Sequence, residues 1–144
     1  MKVTSLLLVG VQLSCIAFFL ITANFSSFHF LNWLLLLGSS VLGLVALAVM
    51  RLSNFSVMPE PRIRSNLVKN GPYAYIRHPM YASLLLFCLS FLINSFTITK
   101  LLIYVVLAAL LIFKIRKEEK YLITTHAQYS SYIKTTKRLI PFIW

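Results

Sequence analysis

The residues best suited to chemistry lie in one short stretch of the chain, between Gly71 and Tyr81. This stretch has an arginine and a histidine directly before a proline, with three tyrosines close by. Pro79 has no backbone N–H and a fixed φ, so it suits the first turn of a helix. Arg77 and His78 then lie at a helix N-terminus, where free N–H groups and the helix dipole favour an anion such as a carboxylate or a phosphate.

The side chains of this stretch offer three kinds of contact to a ligand. Arg77 can pair with a carboxylate or a phosphate through two parallel hydrogen bonds. His78 can donate a hydrogen bond or accept a proton near neutral pH. Tyr73, Tyr75 and Tyr81 can stack on a planar ligand or supply hydroxyl groups. The residue types therefore suit a ligand site with acid–base capability.

Simpler roles are open for the same residues. Arg77 can reach phosphate head groups, His78 can cap the helix, and tyrosines are common in the interfacial belt of membrane proteins. Glu118 and Glu119, the only adjacent acids, can balance nearby lysines on a solvated helix face. Residue types alone favour these simpler roles, and it is the order of motifs along the chain that favours a site.

Composition indicates a membrane protein. Of its 144 residues, 59% are hydrophobic, which is too apolar for a water-soluble domain of this size. We therefore expect a single integral membrane domain over 1–144, with two N-terminal helices in 1–51 and the remainder in 52–144. Cys15 and Cys88 lie inside apolar runs and are interpreted as packing residues, because two distant thiols build neither a disulfide framework nor a metal site.

Four apolar runs predict the elements that must position the candidate residues. They cover about 5–22, 31–50, 80–93 and 98–113. The first is longer than the apolar part of a typical signal peptide, so it is interpreted as a membrane helix. The last two are short for upright spans and predict a tilted or re-entrant hairpin. The predicted fold is all-α: a multi-pass membrane helical bundle of about four transmembrane helices, with a C-terminal cytoplasmic helix and an interfacial tail.

The polar regions between and after these runs carry further predictions. The connection 53–78 is long and rich in proline, glycine and charge, which predicts a functional loop. The tail from Lys114 to Trp144 is expected to continue the fourth helix into the cytoplasm. Its last residues predict an interfacial anchor, because tryptophan and arginine suit the head-group zone.

The distribution of basic residues predicts the orientation of the chain. With a cytoplasmic N-terminus, all lysines and arginines except Lys100 fall on the cytoplasmic side. Both termini are then cytoplasmic. The net charge of +11 follows from this orientation and from attraction to anionic membrane lipids, so no nucleic acid partner is predicted.

The motifs occur in a characteristic order along the chain. The sequence reads Gly-Pro-Tyr-x-x-x-Arg-His-Pro-Met-Tyr from Gly71, then an apolar hairpin, then Glu118-Glu119-x-x-Leu122, Tyr129-x-x-Tyr132 and Arg138-Leu139-Ile140-Pro141. This order, from about Pro59 to Pro141, resembles the isoprenylcysteine carboxyl methyltransferase and phospholipid methyltransferase family of integral membrane enzymes.

The resemblance implies an S-adenosylmethionine-dependent methyltransferase. In such enzymes the Arg-His-Pro turn and the paired glutamates meet at the cytoplasmic side to hold the cofactor. The residues implied on the cofactor or at its edge are Tyr73, Arg77, His78, Pro79, Tyr81, Glu118 and Glu119. Arg77, His78 and Glu119 form the implied catalytic set, and no metal is implied. The implied acceptor is hydrophobic or lipid-linked, similar to an isoprenylcysteine carboxylate or a phospholipid amine; for an amine, His78 or a glutamate is the candidate base.

Two positions depart from the family pattern. Ser83 stands where a glycine is common, and His126-Ala127 replaces a Phe-Gly pair. The change at Ser83 is small. His126 is interpreted as a solvated histidine of the tail, with an extra polar group near the site as the alternative. Neither departure removes a residue implied to contact the ligand.

Two other functions stay open from the sequence. A membrane reductase of the sterol or steroid reductase type has a comparable Arg-His-Pro-x-Tyr segment and uses NADPH, but the adjacent Glu118-Glu119 and the small size favour the methyltransferase. A non-catalytic lipid-binding membrane protein would use only its basic loops. The oligomeric state is also open, although Gly38 and Gly43 would tolerate a close helix contact.

Overall fold

The computed structural model describes residues 2–54 and 67–143, and in this part of the chain the fold is all-α. Its helices are α1 Lys2–Ile21, α2 Phe30–Asn54, α3 Pro79–Asn94, α4 Ile98–Thr125 and α5 Tyr129–Thr135. Short 3₁₀ turns, Phe25–Ser27 and Gly71–Ala74, precede α2 and α3. The predicted all-α membrane helical bundle is confirmed. Residues 55–66 of the predicted functional loop and Trp144 of the predicted anchor lie outside the described residues.

Three of the described helices contain segments long and apolar enough to cross a membrane. These segments are Thr4–Ile21, Phe30–Met50 and Ile98–Thr125. α3 is shorter, with 16 residues, which is about 24 Å at 1.5 Å per residue, against a hydrocarbon core of about 30 Å. The predicted shortness of the third apolar run is thus confirmed, whereas the same prediction for the fourth run is wrong, because α4 is long and apolar enough to cross a membrane. α4 continues from its apolar part into the charged segment, as predicted, but ends at Thr125, and a separate α5 follows.

α3 is the central helix of the bundle, because it contacts α1, α2 and α4. An apolar cluster joins α1, α3 and α4 around Phe91, which is 1% exposed. Cys15 and Cys88 belong to this cluster as buried free thiols. By contrast, most side chains of the candidate spans in α1 and α2 are not buried within the protein, as expected for helices that face lipid.

Small and polar side chains hold α2 close to α3. A Cβ atom added at Gly43 would lie 3.0 Å from Ser83 Oγ, so the two helices approach closely at this point. Asn32 Nδ2 donates a hydrogen bond to the Ser90 carbonyl oxygen at 2.7 Å, and this contact is buried. Asn32 Oδ1 also accepts a hydrogen bond from His29 N at 3.1 Å, which supports the start of α2. Small residues and interhelical hydrogen bonds are the usual means of helix association in lipid.

Polar contacts join the helix ends at one end of the bundle, which we call the Lys100 end. Asn94 Nδ2 donates to the Asn24 carbonyl oxygen at 2.8 Å, so the end of α3 is joined to the turn after α1. Lys100 Nζ donates to the Thr22 carbonyl oxygen at 3.2 Å and also to Ser95 Oγ. These contacts place the end of α1 and the α3–α4 connection together.

The start of α1, the end of α2, the start of α3 and the charged part of α4 meet at the opposite end, which we call the Arg77 end. There Lys117 Nζ donates to Ser5 Oγ at 3.0 Å, joining α4 to α1. The turn at Gly71 lies against Val49 of α2. The residues implied in ligand binding all belong to this end.

Replacing Gly43 with leucine should destabilise the bundle, because the new side chain would collide with Ser83 and separate α2 from α3. Overpacking of this kind typically costs about 1–3 kcal/mol. Gly38 on the same helix has open space around its Cβ position, so Gly38→Leu is the matched control for the change in helix propensity. Thermal unfolding in detergent should show a lower midpoint for Gly43→Leu only. Equal midpoints for the two variants would contradict a close α2–α3 contact.

Candidate active site

The turn before α3 is fixed by a glycine and a buried tyrosine. Gly71 has φ 60°, and a Cβ atom there would lie 3.0 Å from Val49 Cγ2, so both the backbone conformation and the space favour glycine. Two residues on, Tyr73 is buried, and its hydroxyl donates to Met50 Sδ at 3.8 Å. These contacts dock the Gly71–Ala74 turn against α2 and set the direction in which the chain enters α3.

The C-terminal tail runs beside the segment that leads into α3. Arg77 N donates to the Lys137 carbonyl oxygen at 2.7 Å, and His78 N donates to the Arg138 carbonyl oxygen at 3.1 Å. Lys137 N donates in return to the Tyr75 carbonyl oxygen at 3.1 Å. The tail therefore holds the backbone of Arg77 and His78 in place. Both segments also contribute to an apolar cluster, which consists of Ile76, Ala82, Ile115 and Leu139.

Glu119 is the centre of a buried ion cluster. Its Oε1 atom accepts from Arg77 Nε at 2.8 Å, and its Oε2 atom accepts from Arg138 Nε at 2.9 Å. The side chains of Arg77 and Glu119 are each only 7% exposed. Arg77 Nη1 donates further to the carbonyl oxygens of Thr136 and Ile133. Both partners of the Arg77–Glu119 pair are thus engaged within the protein, as buried charges require.

His78 and Glu118 form the more accessible side of the same cluster. His78 Nδ1 lies 3.7 Å from Glu118 Oε2, and His78 Nε2 lies 3.5 Å from Glu119 Oε1. Tyr81 stacks on His78 with ring centroids 5.7 Å apart, and its hydroxyl donates to Glu118 Oε2 at 3.2 Å. The Glu118 side chain is 23% exposed, in contrast to that of Glu119.

α1 also reaches this site through a buried lysine of α4. Lys114 Nζ donates to Gln12 Oε1 at 2.7 Å, and it lies 5.4 Å from the centroid of the Tyr81 ring. Lys114 is 1% exposed. Since Tyr81 in turn binds Glu118, this contact connects the first helix of the bundle to the Glu118 side of the cluster.

Two buried tyrosines of α5 lie beside the cluster. The Tyr132 hydroxyl donates to the Tyr73 carbonyl oxygen at 2.5 Å, which docks α5 on the turn before α3. Burial raises the pKa of Tyr132 to about 12, although the charge of Arg77 opposes the shift. Burial, and next the charge of Glu119, raise the pKa of Tyr129. Both hydroxyls are therefore protonated at neutral pH and can act as donors.

The structure brings most of the predicted site residues together. Those in or beside the cluster are Arg77, His78, Tyr81, Glu118 and Glu119. Pro79 is the first residue of α3 and is buried there. Tyr73 lies nearby, but its hydroxyl contacts Met50 and not the ion cluster.

The simpler roles considered for these residues do not match the geometry. Arg77 does not extend to the surface, because its side chain is 7% exposed and paired with Glu119. His78 occupies the N-cap position of α3, but its side chain makes no cap hydrogen bond. Tyr75, at 63% exposed, is the tyrosine of this stretch that suits an interfacial belt.

Sequence reasoning missed the part that the tail plays in the site. Arg138 was interpreted as part of an interfacial anchor, yet its guanidinium binds Glu119. Its place in the motif order was the available signal. His126, interpreted as a solvated histidine, is half-buried, and its Nε2 atom is buried without a hydrogen-bond partner in the described part of the chain.

The fold and this cluster define an all-α, multi-pass membrane protein with a charged site at one end of its helical bundle. A model of the Isoprenylcysteine carboxyl methyltransferase (ICMT) family matches residues 31–124, which is more than half of the chain. The chain therefore belongs to this family of membrane methyltransferases, and the resemblance seen in the order of its motifs is confirmed. No significant match was found among curated proteins or among solved structures. The matched range includes His78 and both glutamates but ends before α5 and the tail.

Glu119→Gln should destabilise the ligand-free protein much more than Glu118→Gln does. Removing the charge of Glu119 leaves two guanidinium groups without their shared carboxylate. Breaking a buried ion pair typically costs about 3–5 kcal/mol. The adjacent Glu118 is the matched control, since its side chain is more exposed. Unfolding in detergent without ligand measures the difference, and equal losses in the two variants would contradict the central role of Glu119.

Proposed function

We propose that this protein transfers a methyl group from S-adenosylmethionine to a hydrophobic or lipid-linked acceptor at the cytoplasmic face of the membrane. The observation that carries the proposal is the convergence of His78 with Glu118 and Glu119, at 3.7 and 3.5 Å, from segments separated by the α3–α4 hairpin. Family membership supports methyl transfer. S-adenosylmethionine is the methyl donor that methyltransferase families generally use.

The residues present suit the polar groups of this cofactor, which has a carboxylate, an ammonium, ribose hydroxyls and a planar adenine ring. Glu118 is partly exposed and accepts a hydrogen bond from Tyr81, so it has acceptor capacity left for an ammonium or hydroxyl group. His78 Nε2 is buried 3.5 Å from Glu119 Oε1 without a well-formed hydrogen bond, and a ligand atom can supply a better partner. The Arg138 side chain is 33% exposed and offers a cation to the cofactor carboxylate at the edge of the site.

We assign different roles to the residues of the implied catalytic set. His78 is proposed to contact the reacting partners, with Glu118 and Tyr81 beside it. Arg77 and Glu119 are proposed as positioning residues, because their polar atoms are engaged with each other, with Arg138 and with backbone carbonyls. Their function is to hold the segment before α3 against α4, so that the side chains of His78 and Glu118 stay close together.

Methyl transfer mainly requires that the methyl donor and the acceptor are held in the correct positions. When bound, the cofactor supplies a methyl group on a cationic sulfonium. The residues of this chain need to hold donor and acceptor in line and to exclude water. A carboxylate acceptor needs no base. A protonated amine must first lose a proton, and His78, which lies beside the carboxylates of Glu118 and Glu119, is then the candidate base.

The membrane geometry supports a site open to both water and lipid. The basic side chains of the site, which are Arg77, Lys114 and Arg138, lie at the Arg77 end of the bundle, whereas Lys100 lies at the opposite end. This distribution favours a cytoplasmic location for the Arg77 end and for both termini. The acceptor is proposed to arrive laterally from lipid, between helices. The contact of Gln12 with Lys114 supports a single domain over 1–144, since α1 takes part in the surroundings of the site.

Calorimetric titration tests the proposal directly. Purified protein in detergent should bind S-adenosylhomocysteine with micromolar affinity and should not bind NADPH. Glu118→Gln should weaken the binding by about tenfold or more, since a charged hydrogen bond contributes about 1.5–3 kcal/mol. Lys120→Gln, an exposed position on the same helix, is the control and should bind like the wild type.

Two results would contradict the proposal. Folded wild-type protein that binds neither compound would favour a non-catalytic lipid-binding protein. Binding of NADPH without binding of S-adenosylhomocysteine would favour a membrane reductase.

A further inference from the structure

We propose that the hydroxyl of Tyr129 donates a hydrogen bond to an oxygen atom of the ligand bound beside His78 and Glu118. This inference rests on the proposed function and adds a ligand contact from α5, which lies outside the range matched by the family model. The oxygen is of the kind carried by a carboxylate or a ribose hydroxyl.

The Tyr129 hydroxyl is buried and has no hydrogen-bond partner in the described part of the chain. In the part of the chain that the structure describes, the buried side-chain polar atoms without a hydrogen-bond partner are His78 Nε2, His126 Nε2 and the Tyr129 hydroxyl. All three belong to the segments that form the site or border it. Native proteins rarely leave buried polar atoms unpaired, because such an atom gives up its hydrogen bonds to water without a replacement. A phenylalanine at position 129 would avoid this loss of hydrogen bonds, so we expect the Tyr129 hydroxyl to find its partner in a bound ligand.

The Tyr129 side chain lies beside Tyr132 and close to the ion cluster. Tyr129 is 1% exposed, and its ring centroid lies 5.8 Å from that of Tyr132. Its helix α5 lies against the ion cluster, because Arg77 Nη1 donates to the carbonyl oxygens of Ile133 and Thr136 at the end of this helix. Its pKa is raised, first by burial and next by Glu119, so the group keeps its proton and acts as a donor at neutral pH. A donor beside this cluster suits an oxygen that carries negative charge or a lone pair.

Tyr132, in the same helix, differs from Tyr129 because its hydroxyl has a hydrogen-bond partner within the protein. Tyr132 is also buried, at 6% exposed, but its hydroxyl donates to the Tyr73 carbonyl oxygen at 2.5 Å. Removing the oxygen from Tyr132 leaves a backbone carbonyl without this donor, whereas removing it from Tyr129 leaves no protein group unpaired. Replacing Tyr132 with phenylalanine should therefore destabilise the ligand-free protein, whereas the same replacement of Tyr129 should not.

The test compares Tyr129→Phe with Tyr132→Phe in the full chain in detergent. Without ligand, Tyr129→Phe should unfold at the same temperature as the wild type or higher, and Tyr132→Phe should unfold at a lower temperature. In titrations with S-adenosylhomocysteine, Tyr129→Phe should bind about tenfold more weakly than the wild type, which corresponds to about 1.4 kcal/mol.

The possible failures are distinguishable. If the folded wild type does not bind S-adenosylhomocysteine, the proposed function is wrong and this contact is wrong with it. If the wild type binds and Tyr129→Phe binds equally well, the contact alone is wrong. If Tyr129→Phe lowers the unfolding temperature as much as Tyr132→Phe, the hydroxyl has a partner within the protein, which also overturns the inference.

Discussion

The site depends on one buried carboxylate shared by two guanidinium groups. Glu119 receives Arg77 on one oxygen and Arg138 on the other, so it joins the segment before α3, the end of α4 and the C-terminal tail. Removing these charges from water is costly, and the arrangement is stable only when the polar atoms find partners. The carbonyl oxygens of Thr136 and Ile133 complete the shell of Arg77. The conformation of the tail is thus a requirement of this ion cluster.

The neighbouring Glu118 has different surroundings from Glu119 because of helix geometry. Successive residues on an α-helix project about 100° apart, so Glu118 and Glu119 face different surroundings although they are adjacent in the sequence. Glu119 faces the two arginines, while Glu118 faces Tyr81 and His78 with part of its side chain exposed. A paired acid motif on a helix can therefore combine one structural carboxylate with one that is available to a ligand.

The sequence predicted what has a periodic or ordered signal and missed what depends on single polar contacts. Long apolar runs predicted the membrane helices, and the motif order predicted the family. The motif order includes Arg138 but does not predict its contact with Glu119, because an arginine near a tryptophan equally suits the membrane interface. Gln12 is a polar residue within an apolar run, and only its contact with Lys114 reveals its link to the site.

Tyr81 connects the charged end of α4 to the interior of the helical bundle. On one side its hydroxyl binds Glu118, which is partly exposed at the charged end of α4. On the other side its ring faces Lys114, which is bound to Gln12 within the helical bundle. The proposed reaction needs a polar cofactor and an apolar acceptor close to each other, and Tyr81 lies between the charged cluster and the apolar bundle. The short central helix α3 begins at the ion cluster with Pro79 and carries Tyr81 in its first turn.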